Sequence, residues 1–227
     1  MKKILLLTTA AAVFAATTSL ANEGQFYAKG TAGFAKISKM KTKTKAGGVT
    51  ITSPAKYKAK NAFAFGIGAG YYLTDGVRME GAFDYTPTVK LSSSYKEGTV
   101  STVDTIKGKT SSIMLNSYID LYDAGPAKIF AGAGLGFSMF NAKTTKSVDG
   151  KNVPTQAFKI KSKASFTYAL HLGATTEVAE SLHADLTYSW KGVNAKGTIK
   201  KTKTKPKYTT SIPMKGHHVT LGLRYDI

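Results

Sequence analysis

The last eleven residues, His217 to Ile227, alternate strictly between two kinds of side chain. His217, Val219, Leu221, Leu223, Tyr225 and Ile227 fall on one side; His218, Thr220, Gly222, Arg224 and Asp226 fall on the other. Successive side chains of a strand point to opposite faces, so this stretch has one apolar and one polar face. A soluble sheet seldom finishes on a flush apolar strand with an aromatic near its end. In a membrane barrel that pattern is natural, because lipid solvates the apolar face and the lumen takes the polar one.

On these residues the chain resembles the small outer-membrane β-barrels of the OmpA-like, OmpX-like and Opa-like kind. Their closing strand alternates apolar residues and ends in an aromatic, usually Phe. Leu221, Leu223 and Tyr225 match that alternation, whereas the final residue is Ile227. The resemblance implies an all-β fold: an eight-stranded antiparallel transmembrane β-barrel with short periplasmic turns and four long extracellular loops.

The start of the chain reads as an export signal. Lys2 and Lys3 precede an apolar run from Ile4 to Ala16, and Ser19-Leu20-Ala21 has the small-x-small form of a cleavage site. The run is too short to span a bilayer. Residues 1–21 are therefore expected to be a cleaved signal peptide and residues 22–227 a single barrel domain, with Asn22 as the first mature residue. Intact mass of the exported protein checks that position. The sequence has no cysteine, which excludes a disulfide framework, a lipid-anchored Cys and thiolate metal sites.

Seven further stretches repeat the terminal alternation: about Gln25 to Ala35, Ala62 to Leu73, Val77 to Thr86, Ser111 to Tyr122, Ala127 to Phe140, Ala164 to Thr176 and Leu182 to Gly192. The links between them alternate between about three to six residues and about twenty or more. Thr74-Asp75-Gly76, Asp123-Ala124-Gly125-Pro126 and Ala179-Glu180-Ser181 supply the short links, the first two with turn chemistry. Short turns at one end and long loops at the other are the rhythm of outer-membrane barrels. The aromatics Tyr71, Tyr72, Tyr85, Phe137, Phe140, Tyr188, Trp190 and Tyr225 are expected to form interfacial girdles.

The inward-facing set includes Lys29, Arg78, Glu80, Asp84, Asp120, Asp185 and Arg224. These are expected to pair as a lumen charge network, since an eight-strand barrel has room only for side chains. His183, Asp185 and Ser189 share one strand, on which alternate residues lie about 7 Å apart, and are too far from one another for a nucleophile set. Lys128, His171, His183 and Asp226 complete the inward set. His217 and His218 point to opposite faces and cannot chelate together, and no His/Cys/Asp cluster has ligand spacing. No catalytic residue, cofactor site or metal site is expected. The glycine-rich stretches 66–70 and 132–136 lack a following helix, which excludes a nucleotide fingerprint.

The formal charge is +19 and falls to +17 without Lys2 and Lys3; Arg78 and Arg224 are the only arginines. The lysines crowd into the long links. The first carries Lys41, Lys43, Lys45, Lys56 and Lys58, and the third carries Lys159, Lys161 and Lys163. The fourth carries Lys200, Lys201, Lys203, Lys205 and Lys207. The first and fourth contain no acidic residue, and Lys-Thr-Lys-Thr-Lys occurs in each, at 41–45 and 201–205. We read these as hairpins that continue past the membrane and present rows of positive charge. The first and fourth links flank the two strands that close the barrel, so their lysines should share one patch.

Such a patch suits acidic protein surfaces, sulfated glycans or lipopolysaccharide phosphates. The export signal argues against nucleic acid, and drift towards lysine in an AT-rich genome yields the same excess. The lysine-rich, cysteine-free layout most resembles the small candidate adhesins of rickettsiae. That resemblance implies attachment to host-cell surface proteins, and to serum glycoproteins, through the exposed loops. A monomer in contact with lipopolysaccharide and outer-membrane lipid is expected. A small channel of the OmpW type and a purely structural outer-membrane barrel are the alternatives.

Overall fold

A computed structural model of the chain describes residues 24–38, 43–46, 49–52, 58–97, 99–148, 151–152, 158–162, 164–199 and 208–227. The expected leader lies outside them. Within the described residues thirteen strands form one antiparallel sheet. They are β1 (Phe26–Ile37), β2 (Lys43–Ala46), β3 (Val49–Thr52), β4 (Lys58–Ala59), β5 (Ala62–Thr74), β6 (Val77–Glu97), β7 (Val100–Asp123), β8 (Lys128–Val148), β9 (Lys151–Asn152), β10 (Phe158–Ser162), β11 (Ser165–Ala179), β12 (Leu182–Ile199) and β13 (Tyr208–Asp226).

The eight long strands, β1, β5, β6, β7, β8, β11, β12 and β13, each contain one stretch expected from the alternation. Each pairs with both neighbours in the ring. The ring closes through β1 and β13, with Tyr27 opposite Asp226 and Ile37 opposite Gly216. The Ile227 amide donates to the Phe26 carbonyl at 2.8 Å, so both ends of the barrel sequence lie at one rim. The links 75–76, 124–127 and 180–181 turn at that same rim. Gly76 and Gly125 take φ of +87° and +82°, a region that L side chains disfavour, and the Gly125 amide donates to Asp123 Oδ1 at 2.9 Å.

The outward face of the ring is apolar. Ile67, Leu221, Ile113 and Phe34 are each more than 60% exposed, and Leu115, Leu135, Phe137, Phe166, Leu170, Leu186 and Leu223 stand out beside them. An apolar surface this continuous, on every strand of a closed ring, is a lipid-facing belt. Two of the aromatics expected in the girdles are not on it. Tyr72 is buried in the lumen against Tyr27, and Phe140 is 1% exposed on the inner face. The cause is parity: each sits one residue out of step with an outward neighbour, Tyr71 or Met139.

The links expected as long loops are largely strand. The second reduces to residues 98–99, because β6 and β7 run on to Glu97 and Val100 as one hairpin. A tilted strand needs only about ten residues to cross the bilayer, and β7 has 24. The extension is not a simple continuation. On β6 Thr86 faces Thr110 and Val89 faces Gly108, so two residues, Pro87 and Thr88, oppose Lys109 alone on the partner strand. This bulge contains Pro87, which has no amide to offer the ladder. One extra residue flips every later side chain to the other face.

Below the bulge Met79, Phe83 and Tyr85 lie on the outward face; above it Val89 and Leu91 turn inward and Lys90 turns outward. Val89, Leu91, Ile106, Phe140, Ala142 and Met214 then form a buried apolar cluster inside the extended wall. The wall is thus apolar outside in the belt and apolar inside beyond it.

The seam between β1 and β13 depends on close approach at Gly33, where a Cβ would lie 2.0 Å from the Val219 carbonyl oxygen. At Gly30, on the outward face of the same strand, nothing lies within 4 Å. Gly33→Ala is expected to lower the stability of the refolded barrel by about 1–3 kcal/mol. Gly30→Ala should change it by less than about 1 kcal/mol. Urea titration in lipid vesicles, read by the heat-dependent gel shift of folded barrels, compares the two.

Candidate functional site

The lumen is filled by side chains tied to one another, starting near the turn rim. Arg78 on β6 donates from Nη1 to Asp120 Oδ1 at 2.8 Å, and its guanidinium lies over the Phe130 and Tyr118 rings at 4.7 and 5.1 Å. Two residues further along β6, Glu80 accepts from Tyr27, Asn116 and Tyr118 at 3.1–3.3 Å. Lys29 Nζ lies 2.7 Å from Asp185 Oδ2 and 3.8 Å from Glu80. Arg224 reaches the other oxygen of Asp185 at 3.4 Å, and His183 reaches Asp226 at 2.9 Å. Asp84 pairs with Lys191, a residue the sequence reading did not place in the network.

Lys29, Arg78, Glu80, Asp185 and Arg224 are all buried. A charge in such a place is tolerable only with its partners present. The glycine row of β8 makes the space: a Cβ at Gly132 would lie 2.4 Å from the Tyr118 ring, and one at Gly134 2.1 Å from Asn116 Oδ1. Large inner side chains of β7 therefore lean over bare backbone on β8.

The plug leaves small spaces. A crater of about 350 Å³ opens at the turn rim beside Asp120, Lys128 and His183. Cavities of about 50 and 80 Å³ lie higher, between the charged plug and the apolar cluster. His183, Asp185 and Ser189 are separately engaged. His183 meets Asp226, Asp185 meets Lys29 and Arg224, and Ser189 Oγ lies 2.8 Å from His171 Nδ1. Among the described residues no group of three His, Cys, Asp or Glu is placed to hold a metal.

The loop end carries the lysines expected to meet a partner. Lys58 is exposed on β4. Lys43 and Lys45 occupy β2, and Lys159 and Lys161 occupy β10. Lys41, Lys56, Lys163, Lys200, Lys201, Lys203, Lys205 and Lys207 lie outside the described residues. The backbone does bring the first and fourth links together. β2 pairs with the upper part of β13, Lys45 opposite Thr209 and Lys43 opposite Ser211. β10 pairs with both β8 and β12, which ties the third link to the fourth.

A closed antiparallel ring with an apolar belt outside and paired charges inside defines a transmembrane β-barrel of the outer membrane. The chain belongs to the outer membrane protein beta-barrel domain family, whose model matches residues 4–226. A Rickettsia conorii protein named "Putative adhesin" is 34% identical over 213 residues, covering 90% of this chain and 83% of its own. A Rickettsia bellii protein of the same name is 30% identical over the full length of both chains. The crystal structure of the outer membrane protein OprG from Pseudomonas aeruginosa superposes with a TM-score of 0.58 at 16% identity, covering 91% of this chain and 97% of that one.

Asp185 is held between two cations with almost no access to water. Asp185→Ala leaves Lys29 and Arg224 facing each other in the buried interior, and should cost about 3–5 kcal/mol. Asp84→Ala, at a half-buried pair, should cost clearly less. Equilibrium unfolding of the refolded variants in vesicles measures both.

Proposed function

We propose that this barrel is a surface adhesin that holds anionic host-cell surface proteins or sulfated glycans on its lysine-rich hairpins. The observation that carries the reading is the pairing of β2 with β13, which joins the first and fourth links at the loop end. Both links are rich in lysine and contain no acidic residue. Two relatives at 30% identity or more are named as adhesins, which supports the same reading.

In this reading residues 1–21 are removed during export, the turn rim faces the periplasm and the hairpins face the outside. The barrel acts as a monomer and does no chemistry of its own. Its interior serves stability: every charge quoted from the plug has a partner, and the apolar cluster stands above it. That arrangement weighs against an OmpW-type channel, for which a conductance step in planar bilayers would be the signature.

Recognition by many exposed lysines is weak per contact and screened by salt. The refolded barrel should therefore bind isolated host-cell surface proteins saturably at low ionic strength, with affinity falling as salt rises. Replacing Lys41, Lys43, Lys45, Lys201, Lys203 and Lys205 with Gln should weaken binding about tenfold or more, since each contact is worth about 0.2–1 kcal/mol. Equal binding by both proteins would move recognition away from these runs, and binding by neither would reduce the barrel to a structural one.

A further inference from the structure

A second basic surface lies on the outer wall rather than on the hairpins just discussed. Lys90 on β6 stands opposite Lys107 on β7, and Lys107 stands opposite Lys143 on β8. Residues directly opposite in an antiparallel ladder share a face, and neighbouring strands lie about 4.8 Å apart. The face is the outward one: Val89, Leu91, Ile106 and Ala142, beside these lysines in sequence, all point into the buried cluster. The row continues at one edge, where the Lys60 amide donates to the Lys90 carbonyl at 3.0 Å. At the other edge Lys159 on β10 stands in register with Lys143.

Like charges directly opposite one another destabilise a sheet. Lys90, Lys107 and Lys143 make no ion pair among the described residues. The rows on either side of them on β7 and β8 are neutral or basic: Thr105 and Thr145 above, Lys109 and Asn141 below. Asp104, the nearest acid on β7, lies on the opposite face with buried Ser93. A row of cations kept in register without counter-charges is a surface that expects anions from outside.

Height decides which anions. The lipid-facing apolar run ends at Ile113 on β7 and at Met139 on β8; the next exposed apolar side chains on β7, Val103 and Val100, lie beyond Lys107 towards the hairpin tip. Lys143 lies four residues beyond Met139, about 13 Å along the strand, or about 10 Å in height at a strand tilt of about 40°. That level borders the headgroup layer, and a lysine stem can reach several ångströms downward along the wall. The side chains face sideways, where neighbouring lipid molecules stand, and not upward towards another cell.

We propose that the row formed by Lys90, Lys107 and Lys143 binds the phosphate groups of surrounding outer-leaflet glycolipid, holding a ring-side layer of lipid A against one wall of the barrel. The bound phosphates supply the counter-charge that the sheet lacks. This inference does not rest on host binding, and a barrel that binds no host protein would still show it.

The test compares the full refolded barrel with a variant carrying Lys90→Gln, Lys107→Gln and Lys143→Gln, both in a neutral detergent. The unfolding temperature is read by the heat-dependent gel shift. Without lipid the variant should be at least as stable as the parent, since repulsion has been removed; this arm also verifies that it folds. With bisphosphorylated lipid A the parent should gain several degrees and overtake the variant, which should gain little. Dephosphorylated lipid A should give neither effect. An equal gain by parent and variant, or by phosphorylated and dephosphorylated lipid, overturns the proposal. So does an equal gain with inorganic phosphate alone, or a shift produced by heparin and not by lipid A, which would make the row a free-anion or glycan surface instead.

Discussion

The structure depends on one requirement: a backbone in hydrocarbon must make all its hydrogen bonds within the protein. An open sheet fails it at two edges. Here the edges are removed by pairing the first long strand with the last, from Tyr27 opposite Asp226 to Ile37 opposite Gly216. Much else follows from that closure. Once the ring is closed its inner face is too narrow for an open channel and must be filled largely by side chains, and its outer face must dissolve in lipid. The close approach at Gly33, the leaning of Tyr118 over Gly132 and the matched charges around Asp185 are solutions to the filling problem.

The two filling materials are different, and their order along the axis is informative. Charged and hydroxyl groups occupy the part of the lumen surrounded by lipid, where the outside is apolar. The cluster around Leu91 and Phe140 occupies the part that extends beyond, where the outside is polar. Between the belt and this cluster the apolar face of the wall passes from outside to inside. The extra residue at Pro87 makes the exchange on β6. On β8 no shift is needed, because the inner positions change from Gly132, Gly134 and Gly136 to Phe140 and Ala142 while the outer ones change from Leu135 and Phe137 to Asn141 and Lys143.

Much of this was legible in the sequence. Period-two alternation identified all eight long strands, and the turn sequences at Asp75-Gly76 and Asp123 to Pro126 marked the short links. The inward charges could be named because alternation assigns faces. Their partners could not, since Lys191 meets Asp84 across more than a hundred residues of chain. The expectation for the aromatics failed at Tyr72 and Phe140 because proximity to a strand end says nothing about parity. The extension of β6 and β7 is not legible as membrane wall, because its apolar residues face inward and the bulge at Pro87 shifts the faces on β6. The lysine row was invisible for a related reason: Lys90, Lys107 and Lys143 are unremarkable separately and acquire meaning only through strand register.

The exchange of faces also fixes how deep the barrel sits. A strand that stayed apolar outside along its whole length could slide up or down by several residues with little penalty. Here, sinking would push Lys107 and Lys143 into hydrocarbon, and rising would lift Ile113 and Phe137 into water. The wall thus carries a waterline. The hairpins above it are held at a constant stand-off from the membrane, so whatever meets their tips meets them at a set distance from the cell.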